Sequence, residues 1–469
     1  MPIELSDLTF TEQDDVVPVS GVERIFNTGI ANMLAGDDII TGSSTSRRTG
    51  FSYDDGAVVY NTGTINTGDG NDIIMGVRNQ IEEFSYGAAI FNDRGTIDTG
   101  EGNDMITGIS QEDTETQSQD GRGIRSIYAT INTGDGNDTI RGIGITTGIS
   151  LESSGTFDTG KGNDIIIGTG GMEGSGIYND YDVTIDTGDG DDIITGNSMG
   201  VGLGIYNLGS IITSNGNDII IASTAIGGAS IFNSVYGTID TGDGNDIIIG
   251  SSVPGLYNAG TINTGKGNDS IISQGKFFNR SGVFLGEDND SITVETDVSD
   301  RAIENLNFIG TGNGNDIITS AGVIYNEGVI ETGNGNDSII VDGGVDDNGT
   351  RYGIYNNGGA INMGDGNDSI IANEGFESGS NSSGSVFLGD GQDYIKGYGS
   401  GDFYGGNGFD TLELTPGTYT VGIWGEGETS VIFTKGNSLM ITSEFEQLIA
   451  GGTTYNFASL TAGQIINVA

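Results

Sequence analysis

One string governs this chain. Thr67-Gly68-Asp69-Gly70-Asn71-Asp72-Ile73-Ile74 returns at 99–106, 133–140, 159–166, 187–194, 241–248, 264–271, 311–318, 332–339 and 363–370. Weaker copies end at Asp38, Asp218, Asp290, Asp393 and Asp410. Fifteen aspartates therefore share one register, separated by 17 to 34 residues. A period of that length marks a solenoid, in which each repeat adds one coil and buries its apolar face only against its neighbours.

Aligning on the aspartate exposes the expected core. Two residues after it stands Ile, from Ile40 through Ile395, with Leu412 closing the series. Seven residues before it stand Ala31, Ile65, Ile97, Ile131, Phe157, Ile185 and their successors through Phe403. The residue just after the aspartate varies freely, as at Ile73, Met105, Thr139, Ser291 and Tyr394. A fixed β-branched column beside a variable one is the pattern of inward and outward positions on a strand.

The shortest full coil, Asp269 to Asp290, has 21 residues and divides into strands at 270–272, 276–278 and 283–285 with corners between them. Three strands per coil predict an all-β fold, a parallel β-helix of roughly three sides and about 15 coils. A two-sided β-roll is the alternative. A second corner repeats as Tyr60-Asn61, Tyr178-Asn179, Tyr206-Asn207, Tyr257-Asn258, Tyr325-Asn326 and Tyr355-Asn356. Asn suits a tight turn, and its amide is expected to stack into a hydrogen-bonded ladder. The length variation falls after the Ile strand, as in 77–88 and 108–123, which predicts loops along one edge.

Composition narrows the chemistry. The 469 residues include 85 Gly and 4 Pro but no Cys and no His. Thiolate chemistry, disulfides, imidazole catalysis and His-ligated zinc are excluded. With 16 Lys+Arg against 66 Asp+Glu the net charge is −50, which repels nucleic acid and anionic membranes and favours cations. No apolar run approaches the length of a membrane span.

Stacked coils would place the aspartates about 5 Å apart, where two charges repel by ~0.8 kcal/mol in water and ~3 kcal/mol at an effective dielectric near 20. Over fourteen neighbouring pairs the gentler figure reaches roughly 11 kcal/mol, comparable to the whole stability of a domain. There are too few basic residues to neutralise the column. The turns offer carboxylates and glycine-exposed carbonyls, an all-oxygen set that suits Ca2+ better than Mg2+.

At this point the chain resembles the RTX, or hemolysin-type, calcium-binding repeat proteins, whose nonapeptide is Gly-Gly-x-Gly-x-Asp-x-U-x. Gly405-Gly406-Asn407-Gly408-Phe409-Asp410-Thr411-Leu412-Glu413 matches it fully, and most copies differ only by Thr at the first position. The resemblance covers about residues 31–413. It implies several Ca2+ ions held by Gly68, Gly70 and Asp72; Gly100, Gly102 and Asp104; Gly134, Gly136 and Asp138. Further sets are Gly160, Gly162 and Asp164; Gly188, Gly190 and Asp192; Gly242, Gly244 and Asp246; Gly265, Gly267 and Asp269. The series continues with Gly312, Gly314 and Asp316; Gly333, Gly335 and Asp337; Gly364, Gly366 and Asp368; Gly389, Gly391 and Asp393; Gly406, Gly408 and Asp410. Asp38, Asp218 and Asp290 belong to the same column, but their turns lack the full glycine pair. RTX repeats usually run in tandem; one motif per coil predicts a single ion column here.

Three segments are expected: an N-terminal cap at 1–30, the calcium-binding solenoid at 31–413, and a β-rich C-terminal cap at 414–469. Met1–Asp7 has neither a basic nor a hydrophobic stretch, so no Sec leader is expected there. The RTX resemblance implies uncleaved type I export and a secreted or cell-surface location. The expected function is a non-enzymatic calcium-binding structural or surface-interaction protein, touching extracellular polysaccharide or cell-surface components through its loops. The alternative is a carbohydrate-active β-helix enzyme using loop carboxylates Glu82-Glu83, Glu112-Asp113 or Asp346-Asp347.

Overall fold

A computed structural model describes residues 2–17, 24–44, 56–79, 87–111, 121–295, 301–345, 351–379, 383–425 and 430–469. It divides into two compact units, Met1–Thr261 and Ile262–Ala469. Among the described residues the only helical turns are the 3-10 turns Leu5–Asp7 and Phe457–Ser459.

In the first unit every coil contributes one strand to each of three parallel sheets. The first sheet contains Val59–Asn61 and Ile205–Asn207, the second Thr64–Asn66 and Thr96–Asp98, the third Ile73–Arg78 and Met105–Ser110. Pairing is parallel and in register, so Ile40, Ile74, Ile106 and Ile140 stand over one another, as do Ile65, Ile97 and Ile131. All of these Ile side chains are fully buried. Burying one such side chain is worth about 1.5–3 kcal/mol, and the stack repeats it at every coil.

The second unit repeats the arrangement with shorter coils. Ser270–Ser273, Phe277–Asn279 and Gly282–Glu287 are the three strands of one turn, one sheet each. Three strands per coil make this a β-helix and not a roll. Most inserted segments lie between the third and first sheets, as after Arg78 and Ser110. One departs from the expected edge, since Phe376–Glu377 of the first sheet and Ser385–Gly391 of the second are separated by seven residues in sequence.

The amide ladder exists. In the first unit Asn27 donates to Asn61 at 2.8 Å and Asn61 to Asn92 at 2.9 Å, and Asn179, Asn207, Asn233 and Asn258 form a second run. In the second unit Asn279, Asn305, Asn326 and Asn356 are linked in the same way. Ser126 and Leu151 occupy the register between the first two runs, and the Oδ1 atoms of Asn27 and Asn179, the heads of their runs, are left without a donor. Replacing Asn207 by Leu would orphan Asn233 Oδ1 and the Thr238 carbonyl, which it now serves at 2.8 and 2.9 Å. The expected loss is about 2–4 kcal/mol, read as a lower urea midpoint in calcium.

Both ends carry strands of their own. Ile3–Glu4 pairs in parallel with Ile25–Asn27, and Val16–Val17 with Ile39–Ser44, so the N-terminal residues already form a reduced coil. At the other end Ser438–Ser443 and Gln447–Ala450 add parallel strands beyond residue 413. Antiparallel pairing enters through Gly417–Trp424, which is flanked by Ser430–Lys435 and Ile465–Val468.

Candidate metal centre

Each aspartate turn joins the second sheet to the third. In the turn ending at Asp72, Gly68 and Gly70 take φ of +95° and +151°, backbone that a β-carbon disfavours. Stacking adds a second demand. A Cβ on Gly100 would lie 1.9 Å from the Gly68 carbonyl oxygen, and one on Gly102 only 1.5 Å from that of Gly70. Gly102→Ala is therefore expected to cost about 3 kcal/mol or more, seen as a lower melting temperature. Gly422→Ala, which meets nothing closer than 3.4 Å, is the near-neutral control.

Leu34, Ser214 and Asp288 replace one glycine each in the turns of Asp38, Asp218 and Asp290, yet they hold φ of +77°, +64° and +80°. The same turn persists there at a strain of about 1–2 kcal/mol per residue.

The carboxylates form a directed ladder. Asp72 Oδ1 accepts the Asp38 N–H at 2.7 Å, Asp104 Oδ1 accepts that of Asp72 at 2.7 Å, and the pattern runs on to Asp246. In the second unit it runs from Asp269 through Asp290, Asp316, Asp337, Asp368 and Asp393 to Asp410. All fifteen aspartates are at most 2% exposed. The other oxygen is the unexplained one. Oδ2 of Asp38, Asp72, Asp104, Asp138, Asp164, Asp192 and Asp218, and of Asp290, Asp316, Asp337, Asp368, Asp393 and Asp410, is buried and accepts no hydrogen bond. A buried acceptor without a donor costs about 1–3 kcal/mol, more when charged.

Burial lifts these carboxyls out of the usual range. Asp104 and Asp164 rise to about 6, Asp138, Asp218 and Asp368 to about 7, and Asp192 and Asp290 to about 8. The hydroxyls of Thr99, Thr133, Thr187 and Thr213 beside Asp104, Asp138, Asp192 and Asp218, that of Thr159 beside Asp164, and the backbone N–H each carboxylate accepts relieve this only in part. Lost hydration outweighs repulsion from the neighbouring aspartates at every one of these sites, which corrects the sequence argument, where repulsion came first.

Two features of the ladder were not legible beforehand. Glu446, outside any repeat, offers Oε2 to the Asp410 N–H at 2.7 Å and so takes the place of a further aspartate. The exposed residue preceding most of the aspartates, usually Asn but Asp at 37 and 191, builds an outer ladder of opposite direction, with Asn103 N–H and Nδ2 both donating to Asn71 Oδ1 at 2.9 and 3.0 Å.

The donor set fits a calcium ion. Every candidate atom is oxygen, thirteen of the aspartates have one buried oxygen to spare, and the glycine carbonyls lie against the next coil. Among the described residues no three acidic side chains cluster as a ready-made site, so carbonyls would complete any coordination. Glu82-Glu83, Glu112-Asp113 and Asp346-Asp347 lie outside the described residues.

No family model matches the sequence, and no curated protein matches it. Among solved structures the chain is similar to a hyperactive, Ca2+-dependent, β-helical antifreeze protein from an Antarctic bacterium, with 20% identity and a TM-score of 0.42 over 78% of this chain and 80% of that one.

Proposed function

We propose that this chain is a secreted calcium-binding structural or surface-interaction protein whose coils close when Ca2+ enters the aspartate column. The observation that carries this reading is the row of buried Oδ2 atoms without a donor. Such atoms call for a proton or a cation, and an all-oxygen set of carboxylate and carbonyl suits Ca2+. The residues that would hold it are the aspartates from Asp38 to Asp410, with the glycines four and two positions before all but Asp38, Asp218 and Asp290. Bound calcium supplies the positive charge that burial withholds from each carboxylate.

Secretion, by the type I route, is supported by the RTX resemblance, by the absence of Cys and by the net charge of −50. Among the described residues no helix is long and apolar enough to cross a membrane. An exterior rich in calcium and an interior poor in it would let one chain stay open during export and fold afterwards. Calorimetric titration of metal-free protein with Ca2+ tests the site itself. Several ions per chain are expected; fewer than one would overturn the reading.

A further inference from the structure

The outer face of the second sheet changes character between the two units. In the first unit its outward positions carry no ring and are mostly short and polar, as at Thr96 and Asp98, Thr130 and Asn132, and Thr184 and Asp186, with Ile30 and Ile212 as exceptions. In the second unit several of the same positions carry rings. Register places Phe284, Gly310, Glu331, Asn362, Phe387 and Tyr404 in one file across six successive coils. Phe284 and Phe387 remain 43% and 40% exposed, an unfavourable placement that a solenoid core does not require.

The file forms a trough with aromatic ends. Phe284 packs on Phe308 with ring centroids 5.3 Å apart, and Phe387 stacks on Tyr404 at 4.8 Å and 9°. The Phe308 ring lies over Gly310, where a Cβ would come within 2.6 Å of it. Between the pairs is a cavity of ≈ 440 Å³ floored by glycines and edged by Glu331, Asn334, Asn362 and Asp365. Beyond Tyr404 a second cavity of ≈ 630 Å³ carries Trp424, Asp402 and Glu444. No lining residue of either cavity is basic.

We propose that this trough binds a neutral polysaccharide strand lying along the stack of coils. Ring faces accept the C–H faces of sugar rings, and carboxylate and amide oxygens between them accept sugar hydroxyls. Phe284 and Phe387 are four coil steps apart, roughly 19 Å, which suits an extended oligomer. The carboxylates and the absence of lining cations reject uronates and sulfated chains. A peptide strand finds no free sheet edge here, since these strands are paired on both sides. The inference uses side chains that the calcium reading does not involve.

Affinity electrophoresis of the full chain in calcium tests it, with hydroxyethyl cellulose, laminarin, dextran, galactomannan and polygalacturonate as gel additives. At least one neutral polymer is expected to retard the protein, and polygalacturonate none. The double variant F284A/F387A, checked for an unchanged far-UV spectrum, should bind roughly tenfold more weakly or worse, while Thr184→Ala in the first unit has no effect. If the double variant fails to fold, Glu331→Ala, an exposed side chain, is read instead and should weaken retardation several-fold. Mobility unchanged by every neutral polymer, preference for polygalacturonate, or full retardation of the folded variant read would each overturn the proposal.

Discussion

Transferred from millimolar Ca2+ into EGTA at pH 8, the protein is expected to lose its β-rich circular dichroism and elute from gel filtration as an expanded chain. The size of the effect follows from how many carboxylates are buried. One site held at a hundred times its Kd adds about 2.7 kcal/mol to the folded state. Three or four such sites already match the ~5–15 kcal/mol by which a whole domain is stable. Removing all of them leaves thirteen buried Oδ2 atoms with no hydrogen-bond donor. Restored Ca2+ should refold the chain. Mg2+ at the same concentration should do so poorly, because it demands a stricter octahedron and keeps its water. An identical spectrum and elution volume with and without chelator would rule out calcium-driven folding.

The second large effect concerns acid. In EGTA the protein is expected to be more stable at pH 5 than at pH 8, the reverse of ordinary acid denaturation. The aspartates rise from 3.8 to values from about 6 at Asp104 to about 8 at Asp192 and Asp290, so the folded chain binds more protons than the unfolded one between those limits. Stability is therefore fully present below the unfolded pKa and is lost as pH rises through the folded values. A shift of the size at Asp104 corresponds to about 3 kcal/mol, and only a few coils are needed to decide the outcome. In saturating Ca2+ the slope should change sign, because protons then compete with the ion for the same oxygens. Urea titrations at pH 5 and pH 8, with and without Ca2+, make the comparison, with a folded baseline expected in EGTA at pH 5 and none at pH 8. Equal midpoints in EGTA at the two pH values would show that burial of the aspartates is not what governs them.

Much of this architecture was legible because a repeat writes each structural position many times. Ile74 alone says little; fourteen isoleucines at one offset identify an inward column, and register between coils makes them stack. The glycines before Asp72 were legible for the same reason. What depends on a single residue was not. Glu446 closes the carboxylate ladder from a segment with no motif. Leu34, Ser214 and Asp288 preserve a turn that their side chains oppose, because the coils on either side impose it. The carboxylate oxygens also have unequal roles that spacing cannot express: Oδ1 is committed to a backbone N–H and Oδ2 is not. The aromatic file from Phe284 to Tyr404 crosses coils of unequal length, so its members meet only once the register of every intervening corner is known.

Glu446 also gives the second unit a polarity. Each aspartate amide is satisfied by the carboxylate of the coil after it, so a coil added on its own leaves a dangling donor until its successor arrives. Zippering from the far end inward never meets that penalty, since Glu446 is already waiting for Asp410. A molecule cut short of residue 446 would instead present an open seam, shaped to receive the leading edge of another copy and to begin a fibre.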